Sequence, residues 1–149
     1  MEGFKLIGLK LKRKTKNENE QSAKDCGELW QHFEGNKIAE LIPNKISDSI
    51  YAVYYDYESD EKGLFSYFIG CKVAENTVAP KDLDEIIIPQ QNYYKVTAKG
   101  QMTACISEAW AKIWNANINR KFGFDFEIYD ERSHNWNDAE IDIYLSIND

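Results

Sequence analysis

Between Phe124 and Tyr129 the chain alternates rings and carboxylates, Phe124-Asp125-Phe126-Glu127-Ile128-Tyr129. Successive side chains of an extended strand point to opposite faces. Phe124, Phe126 and Ile128 therefore share one face, which is expected to cover a helix, while Asp125, Glu127 and Tyr129 share the other. That second face sets a carboxylate beside a phenol on the wall of a cleft. The last apolar segment alternates in the same way, with Ile141, Ile143, Leu145 and Ile147 on one side and Glu140, Asp142, Tyr144 and Ser146 on the other. Tyr144 is thus expected to share a face with Glu127 and Tyr129.

A carboxylate walled by aromatic rings has a definite chemical use. Ring faces attract cations, by about 0.5–2 kcal/mol each according to desolvation, and a carboxylate in apolar surroundings has its pKa raised until a cation compensates it. Such a wall favours a hydrophobic or cationic small molecule. The same pair supports hydrolysis if Glu127 positions a water and Tyr129 serves as the acid. The plainer alternative is that Glu127 is a solvated strand residue and the tyrosines are β-formers on a sheet surface.

Other chemistries lack their residues. Cys26, Cys71 and Cys105 are far apart with no C-x-x-C spacing, and His32 and His134 stand alone, so no disulfide framework, metal or cofactor is expected. The net charge of −7 disfavours phosphate backbones. Six cations, Lys5, Lys10, Lys12, Arg13, Lys14 and Lys16, crowd the start of the chain against Glu2 alone. Lys10 and Lys12 alternate there with Leu9 and Leu11, the pattern of a strand with a solvated basic face. No apolar run reaches the roughly 18 residues of a membrane span and no signal peptide opens the sequence, so a soluble cytoplasmic protein without membrane contact is expected.

Several elements must position the aromatic and acidic residues. Strands are predicted over 4–12, 50–57 and 64–73, with Gly70 a bulge or a point of close approach. A helix over about 18–34 carries Ala23, Cys26, Leu29, Trp30 and Phe33 at spacings of three and four, and Gly35-Asn36 ends it. A turn through Leu41-Ile42-Pro43 and a polar hairpin loop over 59–63 join these elements. A connector with one short apolar element follows, and then the order begins again. A strand over 93–98, a helix over 103–119 with Ile106, Ala109, Trp110, Ile113 and Trp114 on one stripe, and strands over 124–129 and 139–147 complete it. Each half reads strand, helix, strand, strand. The expected fold is α+β, a single domain over 1–149: two βαββ repeats, about 4–75 and 92–149, joined by a connector over 76–91. They would be related by a pseudo-twofold axis with a ligand cleft between them.

The segments Leu29-Trp30-Gln31-His32-Phe33, Ile50-Tyr51-Ala52-Val53-Tyr54 with Tyr57-Glu58, Tyr67-Phe68-Ile69-Gly70, Tyr93 with Gly100, Trp110 to Trp114, and Phe124 to Tyr129 resemble, in this order, the GyrI-like (gyrase-inhibitor-like) effector-binding domain family. That family also supplies the ligand-binding half of multidrug-responsive bacterial transcription activators. The resemblance runs from about Leu29 to Ile147. It implies that the pocket glutamate is Glu127, with Tyr129, Tyr144 and Trp110 on its wall and Tyr54, Tyr67, Trp30 and Phe33 lining the opposite half. It further implies a stand-alone protein that binds or senses a lipophilic, often cationic, small molecule. The repeats fill the length, so no helix-turn-helix and no direct nucleic-acid binding are expected. Two alternatives stay open: a hydrolase of strained or electrophilic rings using Glu127 and Tyr129, and an inhibitor that acts on a protein partner, as gyrase-directed members do. Binding without turnover is the leading expectation.

Overall fold

The run Ile50-Tyr51-Ala52-Val53-Tyr54-Tyr55 consists mostly of β-branched and aromatic residues, which suit a pleated, half-buried surface, and it forms the middle strand of the sheet. In the computed structural model, which describes residues 2–18, 21–60 and 62–148, seven strands are seen among the described residues. They are β1 Phe4–Lys10, β2 Ile50–Tyr55, β3 Ser66–Val73, β4 Asp84–Ile88, β5 Asn92–Gly100, β6 Asp125–Tyr129 and β7 Ala139–Ile147. Helices α1 Gln21–Gly35, α2 Ile38–Leu41 and α3 Ala104–Asn115 complete a mixed α+β fold. The strands pair antiparallel in the order β4-β1-β3-β2-β6-β7-β5. The expected start of the first helix at about Glu18 runs into Asn19 and Glu20, which lie outside the described residues, as does Glu61 of the hairpin loop. Helix α3 stops at Asn115, short of the predicted 119, where Asn117 and Asn119 enter a stretch of weak helix formers. The short apolar element of the connector is β4, an edge strand paired with β1.

Directly paired residues of neighbouring strands share a face, so the register decides what the helices cover. Tyr54 pairs with Tyr67, Ala52 with Ile69 and with Glu127, and Glu127 with Ile143. On this face α1 packs through Phe33, Trp30 and Leu29 against Ile7, Ile69 and Cys71, and α3 packs through Ala109, Trp110 and Ile113 against Ile143 and Leu145. The opposite face gathers Leu6, Val53, Phe68, Ile88 and Phe126 with Phe4, Tyr51, Tyr93 and Tyr144, a cluster to which no helix contributes among the described residues. This corrects two expectations. Phe124, Phe126 and Ile128 turn away from the helices, and the Glu127 face is the covered one. Tyr144 pairs with Phe126 and stacks on its ring at 5.2 Å, so it lies across the sheet from Glu127 and Tyr129.

Gly70 is a point of close approach. It sits opposite Gly8 in the β1–β3 register, and a Cβ on it would lie 2.4 Å from the Ile7 carbonyl oxygen. On Gly8 a Cβ would lie 1.9 Å from the Ile69 carbonyl oxygen, so β1 and β3 draw together here only because both positions lack side chains. Much of the basic segment is answered by carboxylates: Lys14 reaches Glu58 at 3.3 Å and Asp56 at 3.6 Å, Lys16 reaches Glu18 at 2.7 Å and Lys5 reaches Glu85 at 3.1 Å. No helix is long and apolar enough to cross a membrane among the described residues.

Candidate functional site

Strand β6 delivers Glu127 to the helix-covered face, where its side chain is 1% exposed. The stripe of α3 sets Trp110 above it and the register of β2 sets Tyr54 beside it. Glu127 Oε2 accepts hydrogen bonds from Trp110 Nε1 at 2.6 Å and from the Tyr54 hydroxyl at 2.9 Å, and Oε1 accepts one from the Tyr129 hydroxyl at 2.6 Å. Burial pushes the Glu127 carboxyl above its ordinary range, while the bonds from Tyr129, Trp110 and Tyr54 pull the other way. The hydroxyls of Tyr54, Tyr67 and Tyr129 are held well above the usual phenol value, first by burial and then by the charge of Glu127. They stay protonated and act as donors. Among the described residues no salt bridge reaches Glu127, so its buried carboxyl is held by three neutral donors.

Rings enclose this carboxylate. Tyr54 packs against Tyr67 and against Trp110 with centroids 5.0 Å apart in each pair, and Trp30 meets Tyr129 edge-on at 5.1 Å. Trp30 Nε1 donates to the Tyr67 hydroxyl at 2.8 Å, which fixes α1 over β3. Between α1 and α3, over β2, β3 and β6, lies a cavity of about 400 Å³, within the range of small-molecule sites. Trp30, Tyr54, Tyr67, Trp110, Glu127 and Tyr129 all line it. Phe33 does not. It is buried in the sheet core behind Trp30, 6.3 Å from it centroid to centroid. Tyr144, on the opposite face, is absent from the lining as well. A wider cavity of about 690 Å³ adjoins the first and shares Trp30, Thr103 and Tyr129 with it, so the Trp30–Tyr129 pair stands between the two. A larger groove, about 1260 Å³, runs elsewhere, over Leu9 to Lys14 and α1, and its walls mix Lys12 and Arg13 with Asp25 and Asp84.

A second buried group lies beside Glu127, and alternation places its acid, Asp125, on the same face without revealing its partners. Asp125, wholly buried, takes the Arg120 guanidinium on Oδ2 at 2.8 Å and the Tyr57 hydroxyl on the same oxygen at 2.7 Å. Its Oδ1 accepts from the Ser146 backbone N–H at 2.7 Å and from the Ser146 hydroxyl at 2.9 Å. The Arg120 guanidinium lies 4.3 Å over the Phe122 ring and 5.8 Å from that of Trp110. Arg120, Tyr57 and Trp114 line the cavity with Glu127. Trp114 had a signal, its place one turn after Trp110. Arg120 sits in an irregular loop where no period marks a face; its only mark is the basic pair Arg120-Lys121 just ahead of Phe122 and Phe124.

Comparison with known proteins adds a family. Residues 1–147 match the model Cass2, described as integron-associated effector binding protein. The chain is 27% identical over 123 residues to YobU of Bacillus subtilis (strain 168), whose description places it provisionally among transcriptional regulators, and the match covers 80% of this chain and 77% of that protein. The fold is shared with the integron cassette protein VCH_CASS2 from the mobile metagenome of Vibrio cholerae, at a TM-score of 0.74 and 24% identity over 99% of this chain and 92% of the other. It is shared too with SAV2435, solved bound to tetraphenylphosphonium, at a TM-score of 0.76 and 18% identity over 99% and 90% of the two chains.

Proposed function

The chain belongs to the Cass2 family of integron-associated effector binding proteins, and from that premise we propose that it binds a hydrophobic small-molecule cation in the cavity between α1 and α3, with Glu127 as the anionic contact. One observation carries this reading: a carboxylate buried among rings, hydrogen-bonded by Tyr54, Trp110 and Tyr129, with no cation of the described residues paired to it. A buried charge without a partner is costly, and a ligand cation offsets that cost. Lipophilicity is favoured by the same walls, since Trp30, Tyr54, Trp110 and Trp114 offer ring faces and apolar area together. Tetraphenylphosphonium, the ligand in the SAV2435 structure, is the natural probe.

The two βαββ stretches support a cleft of this kind. Exchanging β1, β2 and β3 for β5, β6 and β7 maps the order β1-β3-β2-β6-β7-β5 onto itself reversed, as a pseudo-twofold at the antiparallel β2–β6 pair would require. The cavity then lies where the two halves meet, with α1 on one side and α3 on the other.

Affinity should depend on pH through Glu127. Tetraphenylphosphonium carries a fixed charge, and the lining hydroxyls are pushed upward, as is the Cys26 thiol by burial. The raised Glu127 carboxyl takes up its proton at a higher pH than an ordinary glutamate, whose value is about 4.3. Binding measured by calorimetry should hold level at high pH. It should weaken as pH falls through the raised value, approaching about tenfold per pH unit because the protonated carboxyl offers no charge. A profile flat down into the ordinary carboxylate range would sink the assignment.

The hydrolase reading rests on the short Tyr129–Glu127 contact. Against it, the carboxylate already accepts three of the about four hydrogen bonds its lone pairs allow, which leaves it little room to draw a proton from water. Binding without turnover is the reading we adopt. A strained-ring electrophile incubated with the protein and followed by mass spectrometry should decay at the rate of the buffer control; a faster decay that Glu127→Gln abolishes would make the protein an enzyme.

A further inference from the structure

The wider cavity is walled largely by parts that the Glu127 site does not use. Glu34 near the end of α1, Asp48 and Ile50 at the entry to β2, Met102 in the turn before α3, and Trp136 in the loop between β6 and β7 all face it. That loop is held in place. Arg132 reaches Asp130 at 2.9 Å, Glu140 at 2.6 Å and Asp142 at 2.7 Å, which ties the loop to β7, and the Met102 backbone N–H donates to the Trp136 carbonyl at 2.8 Å. Trp136 therefore stands fixed at the rim, with its side chain 62% exposed. Among the described residues no other ring packs on its indole. An uncovered indole at a cavity of about 690 Å³ offers a ligand a large apolar face together with room for its body.

Charge narrows the class of that ligand. The lining carries Glu34 and Asp48 and, among the described residues, neither a lysine nor an arginine. No cation of the described residues reaches Glu34, and Asp48, its side chain fully exposed, has only Lys45 at 3.6 Å. Indole is also the ring whose face attracts a cation best. A flat ring system covers more of that face than a tetrahedral cation such as tetraphenylphosphonium can. The Glu127 site lies behind a partition, because Trp30 and Tyr129 meet edge-on at 5.1 Å between the cavities and Glu127 does not line the wider one. We propose that the wider cavity is a second, separate binding site, for planar aromatic cations that lie on the Trp136 indole within the field of Glu34 and Asp48. It fills whether or not the Glu127 site is occupied.

N-Methylacridinium, flat and permanently charged, is the probe, and acridine in mildly alkaline buffer is its neutral match. On Glu127→Gln, which removes the charge of the first cavity, N-methylacridinium should still bind, about tenfold more tightly than acridine. Adding Trp136→Ala should weaken it about tenfold. Adding Glu34→Gln and Asp48→Asn instead should lower the preference for the cation to about threefold, the share left to the ring. In an otherwise unmodified chain, Trp136→Ala should leave the affinity for tetraphenylphosphonium within about twofold, since Trp136 does not line the first cavity. The Trp136 indole N–H resonance should shift with N-methylacridinium, a readout local to the rim. Failure of N-methylacridinium to bind Glu127→Gln would leave one cation site and overturn the second. So would binding that neither Trp136→Ala nor the carboxylate changes weaken, or a Trp136→Ala chain that loses both cations alike. If tetraphenylphosphonium does not bind while N-methylacridinium responds to Trp136→Ala, the Glu127 reading fails and the second site stands.

Discussion

Glu127→Gln should lower the affinity for tetraphenylphosphonium by about 30-fold or more while the chain keeps its fold. Removing one member of a desolvated charge pair costs about 2–5 kcal/mol, the energy of that change in affinity. The amide has the size of the acid. Its oxygen can still accept from Trp110 Nε1 and the Tyr54 hydroxyl, and the Tyr129 hydroxyl can turn to accept from the new NH₂ instead of donating. What remains is ring contact with the cation, so binding is weakened and not abolished. Stability moves in a direction the raised carboxyl fixes. A carboxyl whose folded value lies above its unfolded value binds more protons folded than unfolded between the two, so the wild-type chain loses stability as pH rises from the ordinary glutamate range through the raised value. The glutamine variant lacks that loss and should melt no lower than the wild type at neutral pH. Calorimetry and thermal denaturation read the two effects. An unchanged affinity would remove Glu127 from the site.

Asp125→Ala should cost about 3–5 kcal/mol of stability, the usual consequence of leaving one half of a buried ion pair behind. Four donors lose their acceptor together: the Arg120 guanidinium, the Tyr57 and Ser146 hydroxyls and the Ser146 backbone N–H. These groups join the loop before β6, the segment after β2 and the end of β7, so the substitution loosens three segments at once. Replacing both partners by apolar residues, Asp125→Leu with Arg120→Met, should cost less than Asp125→Ala alone, because no charge is then stranded. Urea denaturation of the three chains supplies the comparison. A loss below about 1 kcal/mol for Asp125→Ala would mean that Arg120 finds another partner or escapes to water.

Much of this site could be read before any coordinates. Alternation placed Asp125, Glu127 and Tyr129 together because the period of two is local to one strand. Helical spacing placed Trp30 and Trp110 on buried stripes for the same reason. What local periods cannot carry is which residue of one strand faces which residue of the next. The Glu127–Ile143 pairing is a fact of register between segments joined by a loop, and it reversed the side given to Tyr144 and to the phenylalanines. Phe33 shares the α1 stripe with Trp30, yet lies one turn further along and turns into the sheet core, a difference of angle that a stripe does not resolve. Arg120 was hidden for a third reason: in irregular chain neither period applies, and its role comes from Asp125, Phe122 and Trp110 closing round it.

A crystal structure of the chain with tetraphenylphosphonium tests the central claim most directly. The phosphorus should lie in the cavity between α1 and α3, with phenyl rings against Trp30, Tyr54 and Trp110 and with the Glu127 carboxylate as the nearest anionic group. A cation seated instead in the charged groove beside Leu9 to Lys14, or on the Phe126–Tyr144 face of the sheet, would contradict it.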